Sequence, residues 1–303
     1  MAESSTVRQQ PSPWPVNGAA RRGAGAFLPL MLAVLATLTP PSARAQKPPA
    51  PEPLTIGDTW SLASAVLGET RRVNVYAPPG ALDIADTRLP VLYMPDGGLA
   101  EDFLHVAGLV QVGAMNGTMR PFLLVGIENT ERRRDLTGPT DDPEDLKIAP
   151  RVGRSAEFRS FLRDELMPFI DAHYPTSGET AIVGESLAGL FAVETFLLEP
   201  GLFDTVIAID PSLWWNRGDL VTRSGALLRA RPWRLGATIW LATGDEGGIA
   251  VPVAAFADSL STFTGGADAP GLRWLCRRLP DERHLTIYHP AALRAFREVL
   301  GQR

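Results

Sequence analysis

One cysteine, Cys276, stands in a chain of 303 residues, so no disulfide can form within the molecule. Cys276 shares strand parity with Leu272 and Trp274, which marks it as a core position rather than a reactive thiol. An apolar run long enough to cross a bilayer is also lacking. The one apolar segment near the start, Ala26 to Leu38, is too short and is broken by Pro29. Excess positive charge is missing as well: 29 Lys and Arg face 34 Asp and Glu, a net charge of −5, which speaks against non-specific binding to nucleic acid or to an anionic membrane surface. There is no internal repeat, and nothing marks a second domain. Histidine is scarce, with four in all, so any reaction that needs an imidazole has few candidates.

What is present begins with an export pattern. Arg21-Arg22 precede the Ala26–Leu38 segment, and Ala43-Arg44-Ala45 has the small-residue form of a cleavage site, so residues 1–45 read as a secretory signal with Gln46 as the mature start. Removing four of the 29 basic residues and one of the 34 acidic ones leaves 25 against 33, a mature charge of −8. Gln46 rather than a cysteine directly follows the cleavage site, so no lipid is expected there and the product is expected in the periplasm or secreted, without a stable membrane anchor. Lys47 to Pro53 is proline-rich and reads as an extended lead-in. With 45% hydrophobic and 21% charged residues the chain has the composition of a globular protein, and 54–303 is expected to be one domain.

Within it, strand and helix patterns alternate. Trp60–Leu67 and Arg71–Ala77 flank Gly68-Glu69 as an antiparallel hairpin. Strand candidates follow at Val91–Met94, Phe122–Ile127, Thr180–Val183, Thr205–Ile209, Thr238–Thr243 and Leu272–Leu279. Helical patterns cover Glu157–His173, Leu187–Leu198, Val253–Phe263 and Ala291–Leu300. Crossover helices between strands predict a mostly parallel sheet covered on both faces, an α/β fold whose ligands sit at the C-terminal strand ends.

The most informative stretch is Ala181-Ile182-Val183-Gly184-Glu185-Ser186-Leu187-Ala188-Gly189-Leu190. A strand turning at once into a helix strains the turn residue and lifts its side chain clear of the sheet. Because strand and helix then nearly touch, the positions two before and two after the serine must be small; Gly184 and Ala188 satisfy this, Ala188 where the strict pattern has glycine. The N–H of Leu187 at the new helix's N-terminus is a candidate oxyanion donor. A serine so placed needs a base, and the base needs an orienting acid, in the chain order serine, acid, histidine. After the Thr238–Thr243 strand come Asp245 and Glu246, two candidates for the acid. After Leu272–Leu279 comes His284, preferred as base over His105, His173 and His289. Glu246 is slightly favoured over Asp245, and Asp210, ending the Thr205–Ile209 strand, is a third possibility. The loop Pro95-Asp96-Gly97-Gly98 offers the Gly97 or Gly98 N–H as a second oxyanion donor. Trp214 and Trp215, past a strand end, offer flat apolar surface for an aromatic or acyl group. One arginine of Arg132-Arg133-Arg134, Arg132 or Arg134 in particular, is a candidate for holding an anionic part of a substrate.

Four segments together, Tyr93-Met94-Pro95-Asp96-Gly97, Glu128–Thr137, Gly184–Phe191 and Asp210-Pro211-Ser212-Leu213-Trp214-Trp215-Asn216, resemble the putative esterase family, and most closely its enterochelin-esterase-like branch. The resemblance implies an α/β-hydrolase fold, action on small-molecule esters, Ser186 as nucleophile and His284 as general base; the third member varies within the family and some relatives work as dyads. No metal or organic cofactor is expected. The main reading is therefore a secreted serine esterase working through an acyl-enzyme on siderophore-type or aromatic esters. An acyltransferase or a thioesterase would use the same residues, and a non-catalytic binder on the same fold is the alternative of another class.

Overall fold

The computed structural model describes residues 51–148, 151–265 and 271–301, and in it the alternating pattern resolves into one eight-stranded sheet. In chain order the strands are β1 (Asp58–Ser64), β2 (Glu69–Tyr76), β3 (Leu89–Pro95), β4 (Leu123–Ile127), β5 (Thr176–Glu185), β6 (Thr205–Ile209), β7 (Ala237–Thr243) and β8 (Leu272–Arg278). Their spatial order is β1-β2-β4-β3-β5-β6-β7-β8. β1 pairs antiparallel with β2 and β2 antiparallel with β4, whereas β4-β3-β5-β6-β7-β8 are parallel throughout. Every residue of β3, β4, β6 and β7 is buried, as strands covered on both faces require. This is the arrangement expected of an α/β-hydrolase with an antiparallel hairpin at its start.

Helices α1 (Phe103–Met115), α2 (Arg132–Leu136), α3 (Pro143–Ile148), α4 (Ser155–Phe161), α5 (Met167–His173), α6 (Leu187–Leu198), α7 (Trp215–Ala230), α8 (Gly247–Thr264) and α9 (Tyr288–Val299) link the strands, and a π-helical stretch, Leu162–Leu166, joins α4 to α5. Two apolar cores lie on opposite faces. Phe103, Val106 and Val110 of α1 meet Ala292, Ala295 and Phe296 of α9 on one face, and Phe158, Phe161, Phe191 and Phe256 fill the other. Helix α6 is buried almost all round, which is why its sequence is apolar on every side rather than amphipathic.

The sequence-predicted strands match observed ones to within a few residues, but α2, α3 and α7 did not stand out as helices. The polar α7 is interrupted near its start, where Asn216, Arg217 and Gly218 take positive φ angles, and that break hides its period. Cys276 lies in β8, partly buried against the core, and burial pushes its thiol pKa up. The expected signal at 1–45 and most of the proline-rich lead-in lie outside the described residues; 51–53 are exposed and irregular.

Candidate active site

Three non-glycine residues with positive φ sit immediately beyond or at the C-terminal ends of adjacent parallel strands: Asp96 after β3, Ser186 after β5 and Asp210 after β6. Strain of this kind persists only where the surroundings over-determine it, and it gathers at functional sites. At Ser186 (φ 59°, ψ −119°) the chain leaves β5 and enters α6 without an intervening loop. The approach is tight: a Cβ on Gly184 would lie 2.5 Å from the carbonyl carbon of Ala188 and 2.7 Å from its methyl, and one on Gly189 would lie 3.1 Å from the Ile209 oxygen and from Pro211. Glycine at 184 and a side chain no larger than alanine at 188 are therefore demanded by packing. The Ser186 N–H donates to Ile209 O at 3.1 Å and its carbonyl accepts from Ser212 N–H at 3.0 Å, which locks the turn onto the end of β6.

The Ser186 hydroxyl lies 3.0 Å from Nε2 of His284, and Nδ1 of His284 lies 2.7 Å from Oδ2 of Asp210. The other oxygen of Asp210 accepts from Gly244 N–H at 3.0 Å. Burial alone would raise the Asp210 pKa, but the bonds from His284 and Gly244 hold it below the usual carboxylate range. The hydrogen bond to Asp210 raises the His284 pKa against the effect of burial, helped by the negative charges of Glu185, Asp210 and Glu246. An ionised Asp210 fixes Nδ1 as the protonated nitrogen, so Nε2 is the one with a free electron pair facing Ser186. The hydroxyl of buried Ser212 lies 3.3 Å from that of Ser186.

Neither of the two favoured acids touches the ring. Asp245 is exposed and pairs with Arg278 at 2.8 Å, while Glu246 Oε1 accepts from the backbone N–H of His284 at 3.1 Å. The reason is sheet order: β6 is the neighbour of β5, whereas β7 is one strand farther from Ser186. The loop after β8 folds back across the end of β7 to bring His284 over. Asp245 N–H bonds Glu282 O at 3.1 Å, and a Cβ on Gly244 would meet that same oxygen at 2.6 Å. Asp210, the third possibility in the sequence, occupies the place beside Nδ1.

The glycine loop also differs from expectation. Gly97 N–H donates to Ile127 O at 2.9 Å and Gly98 N–H to the Glu101 carboxylate at 2.7 Å, so neither amide is open to a ligand as folded. Gly97 is glycine because β4 passes against it, with the Gly126 Cα 2.3 Å from where a Cβ would be. Leu187 opens α6, where first-turn amides have no intrahelical acceptor. Trp215 is buried and donates its indole N–H to Gly138 O at 3.0 Å, so it is a core residue with one edge on a cleft of about 250 Å³ beside Leu190 and Leu220, while Trp214 stays 36% exposed. Arg132 grips Asp96 in a two-point fork at 2.7 and 2.8 Å. Arg134 is buried and its guanidinium is taken up by Glu69, Asp135 and Glu131. Of the other histidines, His173 bonds Phe169 O, and His105 packs on Tyr288 and His289.

One neighbour of the ring was not singled out from the sequence. Glu185, just before the serine, places Oε1 at 3.2 Å from His284 Nδ1. Among the described residues, Glu185, Asp210 and His284 are also the group whose ligand-type atoms lie within 4.8 Å of one another. With Nδ1 protonated toward Asp210, that nitrogen has no electron pair to give a cation, so the cluster suits an acid–imidazole system better than a metal.

Comparison with known proteins agrees with this geometry. The model of the family described as "Putative esterase" matches residues 64–252. The chain belongs to this family. Its relatives place it in the enterochelin-esterase-like branch. A siderophore enterobactin esterase of Emericella nidulans is 34% identical over 102 residues, covering 31% of this chain and 34% of that protein. The ferri-bacillibactin esterase BesA of Bacillus subtilis is 30% identical over 163 residues, 49% of this chain and 56% of the relative. These matches span about a third to a little over half of the relatives' lengths. A solved structure of an IroE-like serine hydrolase from Shewanella oneidensis superposes with a TM-score of 0.71 at 26% identity, covering 80% of both chains, and the fold is that of the α/β-hydrolases. No helix among the described residues is long and apolar enough to cross a membrane.

Proposed function

We propose that this chain is a serine esterase that cleaves small-molecule carboxylic esters through an acyl-enzyme, with Ser186 as nucleophile, His284 as general base and Asp210 as the acid that orients it. The observation that carries the reading is the unbroken chain from the Ser186 hydroxyl through both ring nitrogens of His284 to a buried carboxylate at 3.0 and 2.7 Å, mounted on a strained strand-to-helix turn.

Neutral His284 takes the Ser186 proton as the oxygen attacks the ester carbonyl. The Leu187 N–H holds the developing oxyanion. The imidazolium then gives its proton to the leaving alcohol, and water, activated by the same ring, releases the acid. A substrate using the Gly98 N–H as second donor has to displace Glu101. Exposed Trp214 is the reading's aromatic contact, whereas Trp215 and Arg134 leave the substrate-binding set and Arg132 enters only if it releases Asp96. For substrate class we propose siderophore-type oligoesters, supported by the siderophore esterases among the relatives. Residues 1–45 fit a signal for export to the periplasm or beyond, and 54–303 the catalytic domain.

The test is labelling of the purified chain by a fluorophosphonate, followed by a panel of simple, aromatic and catecholate siderophore esters with and without iron. Labelling and turnover that both vanish in Ser186→Ala support the reading; labelling that persists in Ser186→Ala removes it. Turnover of simple esters without any catecholate turnover would remove the siderophore assignment alone.

A further inference from the structure

Glu185 is held where a carboxylate is costly. Its side chain is 15% exposed, and Oε1 is buried with no hydrogen-bond partner among the described residues. Yet that oxygen is 3.2 Å from His284 Nδ1, off the N–H axis that Asp210 occupies at 2.7 Å. The contact therefore acts by charge rather than as a second aligned hydrogen bond. Burying a polar oxygen unpaired costs stability, and a neutral side chain of the same shape would avoid the full charge penalty.

The backbone places Glu185 beside this site. It is the last residue of β5, paired with Ile209 of β6, one position before the elbow, so it stands at the same end of the sheet as the Asp210 loop. The other charges that bear on it are Arg132 of α2, itself clasped by Asp96, and the Asp96 and Asp210 carboxylates. Burial pushes its pKa up to about 7, against the pull of His284 and Arg132. In the resting state its ionisation is thus disfavoured, and the cation that would compensate it is the His284 imidazolium.

Resting on the catalytic reading above, we propose that Glu185 is a second positioning carboxylate for His284, stabilising the imidazolium formed during serine attack and standing in for Asp210 when that residue is neutralised. The interaction is worth most when the ring is charged, so it lowers the barrier more than it strengthens substrate binding.

Glu185→Gln keeps the shape and removes the charge, and its kinetics on a chromogenic ester from pH 5 to 9 test the idea beside Asp210→Asn, the double variant and Ser186→Ala. The expected result for Glu185→Gln is a kcat lowered about tenfold with KM within about twofold. The acid limb of kcat/KM should also move to lower pH, because the imidazole loses a negative neighbour that favours its charged form. Glu185→Asp should restore most of the limb's position. Asp210→Asn should retain activity that falls about tenfold further in the double variant. An unmoved acid limb in a folded Glu185→Gln, or a double variant no slower than Asp210→Asn, overturns the proposal. If Glu185→Gln does not fold, Glu185→Ala takes its place: an acid limb moved to lower pH supports the role and an unmoved limb removes it. Ser186→Ala separates the two readings. If it is inactive while Glu185→Gln is silent, only the Glu185 role falls; if it stays active, the serine mechanism falls first.

Discussion

Two clusters of buried charge, one around Arg71 and Arg134 and the other around His284, are built from similar groups and behave as opposites. In the first, Arg71 meets Asp135 at 2.6 Å and Glu69 at 2.9 Å, and Arg134 meets Glu69 at 2.7 Å and Asp135 at 2.6 Å. Glu131 joins the group through Arg134 at 3.3 Å and Arg151 at 2.5 Å, so three guanidiniums face three carboxylates; Thr130 and Glu128 O take further N–H groups of Arg71, whose Nε alone has no partner among the described residues. In the second, Asp210 and Glu185 both face one imidazole that is neutral when ready to act, and an oxygen of Glu185 stays unpaired. The first cluster is balanced at rest. The second approaches balance only when the ring takes a proton, and that is the moment the proposed chemistry needs it. Charge balance in the resting state distinguishes a cluster that holds the hairpin β1-β2 to α2 from one poised to react.

The sharpest way to break this comparison is to delete one member of each cluster. Ser186→Ala should lower turnover by at least about a thousandfold and leave the melting temperature nearly unchanged, as turnover assays and calorimetry would report. Arg71→Ala should do the reverse. It takes one of two arginine partners from the fully buried Asp135, leaving Arg134, and empties a fully buried side-chain site, at a cost of about 3–5 kcal/mol in denaturant unfolding, while kcat per folded molecule stays within about threefold. Equal losses of stability in both variants would erase the distinction.

Within the reactive cluster, Asp210→Asn should cut kcat by about a hundredfold or more, because the ring loses the partner that fixes its tautomer. Asp245→Asn, altering only an exposed pair with Arg278, should change kcat by less than about twofold.

pH separates the clusters again. His284 must be neutral to act and its pKa is raised above the ordinary value of 6.5, so kcat/KM should fall as pH drops through a limb above 6.5. The Glu69 pKa is lowered from 4.5 to about 2, chiefly by its bond from Arg134. Its stabilising contribution is therefore present above pH 4.5 and is lost only as pH falls toward 2. Activity should vanish on acidification while circular dichroism still shows a folded chain.

A pH effect on stability of the opposite sign is expected at Glu185. The Glu185 pKa is raised from 4.5 to about 7, so the folded state holds its proton more tightly than the unfolded one; its contribution is complete below pH 4.5 and is lost as pH rises through 7. Glu185→Gln should then raise the melting temperature more at pH 8 than at pH 5, by at most about 3 kcal/mol in stability. A uniform shift at both values would show that the carboxylate is not buried as charge.

The sheet, its parallel centre and the antiparallel hairpin were legible because each rests on short-range pattern: β-branched and apolar runs, Gly68 at the hairpin turn, and a 12-residue apolar helix starting right after the serine. The elbow was legible for the same reason, since Gly184 and Ala188 answer a clash between residues four apart. The partners of its side chains were not. Arg132 looked free until Asp96, 36 residues away, closed on it, and Arg134 until Glu69 did so from 65 residues away. Trp214 and Trp215 are adjacent in sequence, yet only contact with Gly138 decides which one is buried.

Local sequence alone determined the strand-to-helix turn at Ser186, the strands around it and the small set of histidines and carboxylates at strand ends, because those features follow from sterics and periodicity over a few residues. The tertiary structure decided that Asp210 rather than Glu246 or Asp245 faces His284, that the Gly97 and Gly98 amides are engaged, and that Glu185 crowds the ring. Those outcomes depend on which strands become neighbours and how far loops fold back across their ends, and such distances are fixed only when the whole sheet has assembled.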